Sequence, residues 1–170
     1  MTGSEDWDTY AADQLAVLDD LELEHCHVVG MCIGGAFIAK LLTGAPERFD
    51  RAVALQPIGL DGNRDAFHQM FDSWAAELTG GHPEAGPDEW ASYRSNMYDG
   101  MSTLFSVPDS ALPTIASPVL VLRGDDLYHP RSASELLAST VPDARLVELW
   151  KDPDHLPAAA GAIAEFLAGG

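Results

Sequence analysis

Lysine is nearly absent from this chain: Lys40 and Lys151 are the only two among 170 residues. Basic residues number 9 against 27 acidic ones, so the formal net charge at pH 7 is -18. An acidic surface repels polyanions, and neither nucleic acid nor an anionic membrane is an expected partner. Long apolar runs are missing too, and none approaches the roughly 18 residues of a membrane span. Met1 to Asp6 contain neither basic residues nor an apolar core, so no signal peptide is expected and the expected location is cytoplasmic. Cysteine is limited to Cys26 and Cys32, which are poorly spaced for a disulfide within one strand and turn. His25, Cys26 and His27 alternate faces in a strand and cannot all grip one ion, so no metal is expected. No cofactor is expected either.

What remains is an ordinary globular composition, 46% hydrophobic and 21% charged, in a length that fits one domain. Trp7, Tyr10, Ala11, Gln14, Leu15 and Leu18 recur at helical spacing, which predicts an amphipathic helix over Asp6 to Leu21. The run His27-Val28-Val29-Gly30 reads as a strand, and Phe37, Ile38, Leu41 and Leu42 as a helix stopped by Gly44 and Pro46. Arg51 to Pro57 has the length and apolarity of a buried parallel strand. Helices between such strands predict an α/β fold with a parallel sheet.

This rhythm breaks from Leu60 to about Pro113. Phe67, Met70, Phe71, Trp74 and Leu78 share one helical face, and Pro87-Asp88-Glu89 opens a second helix carrying Trp90, Tyr93, Met97 and Met101. Pro118 to Leu122 resumes the sheet. Arg131 to Thr140 is a helix, Arg145 to Trp150 a last strand, Asp154 to Pro157 a loop, and Ala158 to Leu167 a closing helix.

The chemistry concentrates at Gly30-Met31-Cys32-Ile33-Gly34. A strand that enters Gly-x-Cys-x-Gly and leaves as a helix places Cys32 at the apex of a sharp turn. Flanking residues come close together there, so Gly30 and Gly34 are the expected small elbow residues. The following helix aims its positive end at the thiol and favours the thiolate.

On these residues the chain resembles the α/β-hydrolase family. The apex residue is Ser in most members and Cys in the dienelactone hydrolases and a minority of others. The resemblance implies an acid after a later strand and a His after the last one, which this chain supplies as Asp126 and His155. The implied catalytic set is therefore Cys32, His155 and Asp126, with Asp125 as the fallback acid and His129 as a rival base adjoining the acid loop. It implies Ile33 N–H as one oxyanion donor, and a lid over residues 60–113 between core segments 1–59 and 114–170. Met31, beside the apex, and Trp74 and Trp90, in the lid, are the expected substrate-binding side chains.

The implied activity is hydrolysis of an ester, lactone or thioester with an apolar acyl part through an acyl-enzyme. Acyl transfer is an alternative suggested by Gly34-Gly35, and a non-catalytic binding member of the family is another. The resemblance covers the C-terminal portion of a full member, without the N-terminal strands and their second oxyanion donor. A homo-oligomer completing the exposed sheet edge is the expected partner state besides the small-molecule acyl substrate.

Overall fold

The structure, a computed structural model, describes residues 4–169. Its elements run in chain order as α1 (Trp7–Asp20), β1 (Cys26–Met31), α2 (Ile33–Gly44), β2 (Phe49–Leu55), α3 (Arg64–Leu78), α4 (Pro87–Tyr98), β3 (Val119–Leu122), α5 (Arg131–Thr140), β4 (Ala144–Val147) and α6 (Leu156–Leu167). The four strands form one sheet in the order β1-β2-β3-β4, and every pairing is parallel. Each strand is therefore followed by a crossover that returns the chain to the same end of the sheet, and all four C-terminal ends share one edge.

Strand periodicity sorts the core into two faces. Ala52 and Ala54 of β2 join Val119 and Val121 of β3 beneath α2 and α5, where Ile38, Leu42 and Leu137 fill the space. Val53, Leu120 and Leu122 point the other way, against Ala159 and Phe166 of α6. α1 lies outside this layer, against α2. Its N-terminus is capped by Asp6, whose carboxylate accepts from Thr9 N at 2.8 Å.

β1 is an edge strand with one uncovered face, since Val29 and Met31 remain 54% and 57% exposed. The unpaired backbone of such an edge is a template for another strand.

Between β2 and β3 the chain departs into the α3–α4 pair. Its interior is an aromatic cluster separate from the sheet core, containing Phe67, Phe71, Trp90, Tyr93, Tyr98 and Phe105. α1 ties this cluster down: Trp7 Nε1 donates to Met97 O at 2.9 Å, and the Tyr10 and Tyr93 hydroxyls lie 2.6 Å apart.

Most sequence expectations for the elements hold, with differences at the ends. β2 begins at Phe49 rather than Arg51, because Ser117 Oγ donates to Phe49 O and holds that residue in line. β4 stops at Val147, short of Trp150. Beyond it side chains take over the contact with the β3 end: Arg123 pairs with Glu148 at 2.6 Å, and Trp150 Nε1 donates to Arg123 O at 2.8 Å. α6 starts at Leu156 and includes Pro157 in its first turn, where a missing N–H costs nothing. His155 is thus the residue capping a helix rather than the middle of a loop.

Candidate active site

Cys32 has φ 60° and ψ -120°, between the end of β1 and the start of α2. A non-glycine residue in such a region costs about 1–3 kcal/mol, which the surroundings must offset. Three backbone hydrogen bonds hold it. Cys32 N donates to Leu55 O at 3.0 Å, and Cys32 O accepts from Gly35 N at 3.0 Å and Ile58 N at 3.1 Å. The turn thus hangs on the end of β2 as well as on α2, and the thiol stands at the C-terminal edge of the sheet.

The glycines of the elbow divide differently from the sequence expectation. A Cβ on Gly30 would sit 2.7 Å from the carbonyl carbon and oxygen of Gly34, so Gly30 is obligatory. A Cβ on Gly34 would meet nothing within 4 Å. The second crowded position is Gly35, where a Cβ would lie 2.5 Å from Pro57 Cβ and 2.8 Å from its Cα. Close packing of α2 on the chain leaving β2 makes that demand, which no local spacing rule reveals.

The acid loop follows β3. Gly124 allows it to fold back tightly, since a Cβ there would lie 2.3 Å from His129 O. Asp126 Oδ1 accepts from Tyr128 N at 3.1 Å and His129 N at 3.0 Å, the pattern of an Asx turn. The turn brings the His129 ring over the carboxylate, and Nδ1 lies 2.7 Å from Oδ1. The turn is what lets His129, the rival base adjoining the acid loop, face that acid directly. Asp125 faces away, bound to Lys151 Nζ at 2.5 Å, and the same ammonium lies 3.6 Å from Asp126 Oδ2.

His129 and Cys32 share the wall of one cavity of about 230 Å³, with Ile33, Ile58, Phe67 and Tyr98. With Nδ1 engaged by Asp126, Nε2 is the buried nitrogen left for the thiol. It has no partner at full hydrogen-bonding geometry, as is common in unliganded sites where substrate tightens the contact. The two groups nevertheless set each other's charge. The His129 ring pulls the Cys32 thiol below its ordinary pKa against the cost of burial, helped by the Ile33 N–H. The thiol in turn raises the pKa of His129 against the same cost, with Asp126 adding to the rise. Burial works against ionisation of Asp126, but the His129 hydrogen bond and charge outweigh it and its pKa is lowered. All three shifts run in the direction of a thiolate beside an imidazolium backed by a carboxylate.

His155 is placed elsewhere. Its Nδ1 lies 2.6 Å from Asp152 Oδ1, which also accepts from its backbone N–H at 3.2 Å, and the side chain is 43% exposed. The wall at the thiol is built by His129 and does not include His155. The physical reason is the short connection from β4 into α6: Asp152 accepts His155 at the head of the helix and keeps it there. Of the other expected residues, Trp74 lines a second cavity of about 290 Å³ between α3 and α4. Trp90 is buried behind it, edge-on to Trp74 and Phe71, and forms neither wall. Met31 lies on the uncovered face of β1 and lines neither cavity. The wall residues not expected from sequence include Ile58, Phe67, Met70, Tyr98 and Tyr128 at the thiol. Met70 belongs to the α3 face that the helical spacing revealed, while Tyr98 ends α4 and carried no separate signal.

A parallel sheet with a strained Cys at the strand-to-helix turn, and an acid following a later strand, is the architecture of an α/β hydrolase. Residues 2–167 match the Alpha/beta hydrolase family, and the chain belongs to it. It is 31% identical over 168 residues to carboxylesterase YbfK of Bacillus subtilis, covering 82% of this chain and 54% of that protein. It is 26% identical over 193 residues to 2-hydroxymuconate semialdehyde hydrolase of a Pseudomonas species, covering 95% and 68%. Among solved structures, a hydrolase from Pseudomonas aeruginosa superposes with a TM-score of 0.69 at 23% identity, over 100% of this chain and 74% of that one. The enol-lactonase of Burkholderia xenovorans gives 0.67 at 20% identity, over 99% and 75%. The chain spans about half the length of the two carboxylesterases it matches, 54% and 56%.

Proposed function

We propose that this chain carries the nucleophile and base of a hydrolase for esters, lactones or thioesters, with Cys32 as nucleophile, His129 as base and Asp126 as the group that orients it. The observation carrying the proposal is that Asp126 holds His129 at 2.7 Å while His129 and the strained Cys32 share one cavity wall. The thiolate attacks the substrate carbonyl carbon, a C–S bond forms, and the carbonyl oxygen becomes an oxyanion beside the Ile33 N–H. Collapse breaks the bond to the leaving alkoxide or thiolate, which takes the proton of the His129 imidazolium. His129 then removes a proton from water, the hydroxide adds to the thioester, and Cys32 departs as the thiolate. Thiolates expel amines poorly, so peptides are not the expected substrates. The α3–α4 pair acts as a lid whose apolar underside holds the acyl part.

Hydrolysis is preferred to acyl transfer, because Gly35, half of the pair that suggested transfer, has a packing reason in Pro57. The test is a pre-steady-state burst with an activated aryl ester and intact-mass detection of the acyl group on Cys32. A burst with the acyl group on Cys32, lost in Cys32→Ala, supports the mechanism. An acylated Cys32 that turns over only with an added alcohol or thiol points to transfer. No acylation at all points to a binding member of the family.

A further inference from the structure

We infer that this site selects uncharged substrates with an aromatic or comparably bulky apolar acyl part and turns away those whose acyl part carries a carboxylate. The inference rests on Cys32 being the nucleophile, as proposed above. The cavity at Cys32 and the second one of about 290 Å³ share Ile33, Met70 and Tyr98, so the second is the natural extension of the first. Together they fall within the range of small-molecule sites, about 300–1,000 Å³.

The inner chamber is walled by Phe71, Trp74, Tyr93 and Met97 besides the shared residues. Aromatic edges and thioethers are good partners for a ring. The polar atoms on these walls stay neutral. Burial and the Tyr10 hydroxyl push the Tyr93 phenol far above its ordinary pKa, and burial pushes Tyr98 up to about 12. Among the described residues no Lys or Arg side chain forms either wall. The two arginines of α3 and α4 are already engaged. Arg64 donates to Tyr98 O and to Gly100 O at 2.9 Å, and Arg94 bonds both oxygens of Asp72 at 2.8 Å. An acyl carboxylate would therefore be stripped of water without a free counter-charge, because His129, the one group on these walls able to carry positive charge, is already held by Asp126 and faces the Cys32 thiol. A neutral ring meets no such penalty.

The test uses three alkylating probes on the whole chain: iodoacetamide, its neutral N-phenyl derivative, and the same anilide with a para carboxylate. Rates at Cys32 are followed by site-resolved mass spectrometry, normalised to N-acetylcysteine, at low and high salt. The N-phenyl probe is expected to outpace the carboxylate probe at least about tenfold. That ratio should persist in high salt, where repulsion by the whole acidic surface is screened. Met70→Arg, at the junction of the chambers, should narrow the ratio by accelerating the carboxylate probe.

Equal rates for the two anilides, or a ratio that vanishes with salt, would overturn the inference while leaving Cys32 as a reactive nucleophile. A Cys32 inert to iodoacetamide as well would overturn both the inference and the nucleophile assignment.

Discussion

His129 Nδ1 lies 2.7 Å from Asp126 Oδ1 although the two residues are separated by only a tight turn. An orienting acid and its base usually come from different loops of a hydrolase. Here one Asx turn brings Asp126 and His129 together, and it does so at the sheet edge where Cys32 stands. The arrangement makes the state of the thiol depend on His129 rather than on the His that follows the last strand.

The pH profile of Cys32 alkylation tests that dependence. A lowered thiol pKa means that more thiolate is present at neutral pH, so the reactive form appears at lower pH than for a free thiol near 8.5. His129→Ala removes the first cause of the lowering and should raise the midpoint. Neutral-pH rates then fall about tenfold for each pH unit of that rise. His155→Ala should leave the midpoint in place. An unmoved midpoint in His129→Ala, or a rise in His155→Ala, would transfer the role of base to His155.

Asp126→Asn tests the third member. The carboxylate contributes to the raised pKa of His129, so its removal should lower that pKa. The imidazolium then loses its proton earlier as pH rises, and the thiolate–imidazolium window closes from the alkaline side. An NMR titration of the His129 Cε1 proton reads the shift directly, and Asp125→Asn serves as the matched control.

The elbow glycines differ in what they tolerate. Gly30→Ala and Gly35→Ala each force a methyl into backbone or proline atoms, and each should lower unfolding stability by about 1–3 kcal/mol. Gly34→Ala meets open space inside a helix and should be neutral or stabilising by up to about 1 kcal/mol. Urea unfolding of the three variants gives the ranking.

The open edge of β1 should show itself in solution as concentration-dependent association. Val29→Lys adds a charge to that edge strand, a device that blocks strand pairing, and should reduce the weight-average mass seen by light scattering. A mass that does not depend on concentration in the unsubstituted chain would remove the expectation of a second copy at this edge.

The backbone plan was legible in the sequence because it rests on local rules. Alternating and continuous apolar runs located the strands, three-four spacing located α1, α3 and α4, and the boundaries of α5 agree residue for residue. The apex position of Cys32 followed from the Gly-x-Cys-x-Gly pattern, since a strand running straight into a helix leaves only one place for the turn. Asp126 and Ile33 were named through the family pattern; Asp126 lies against His129, and the Ile33 N–H lies at the thiol.

What the linear order could not reveal depended on contacts between distant segments. A His after the last strand looked like the base because position in the chain was the only criterion available. The structure instead holds His155 on Asp152 and wraps the acid loop so that His129 faces Cys32. Trp74 and Trp90 look alike in sequence, yet packing puts one on a cavity wall and the other behind it.

By itself the sequence determined the α/β plan and the elbow with Cys32 at its apex, because these follow from periodicity and short-range sterics. The tertiary structure decided which imidazole meets the thiol, which glycine must stay small and how neutral the pocket is. Those outcomes are set by which surfaces close against each other when the sheet and its helices pack, and no window of neighbouring residues contains them.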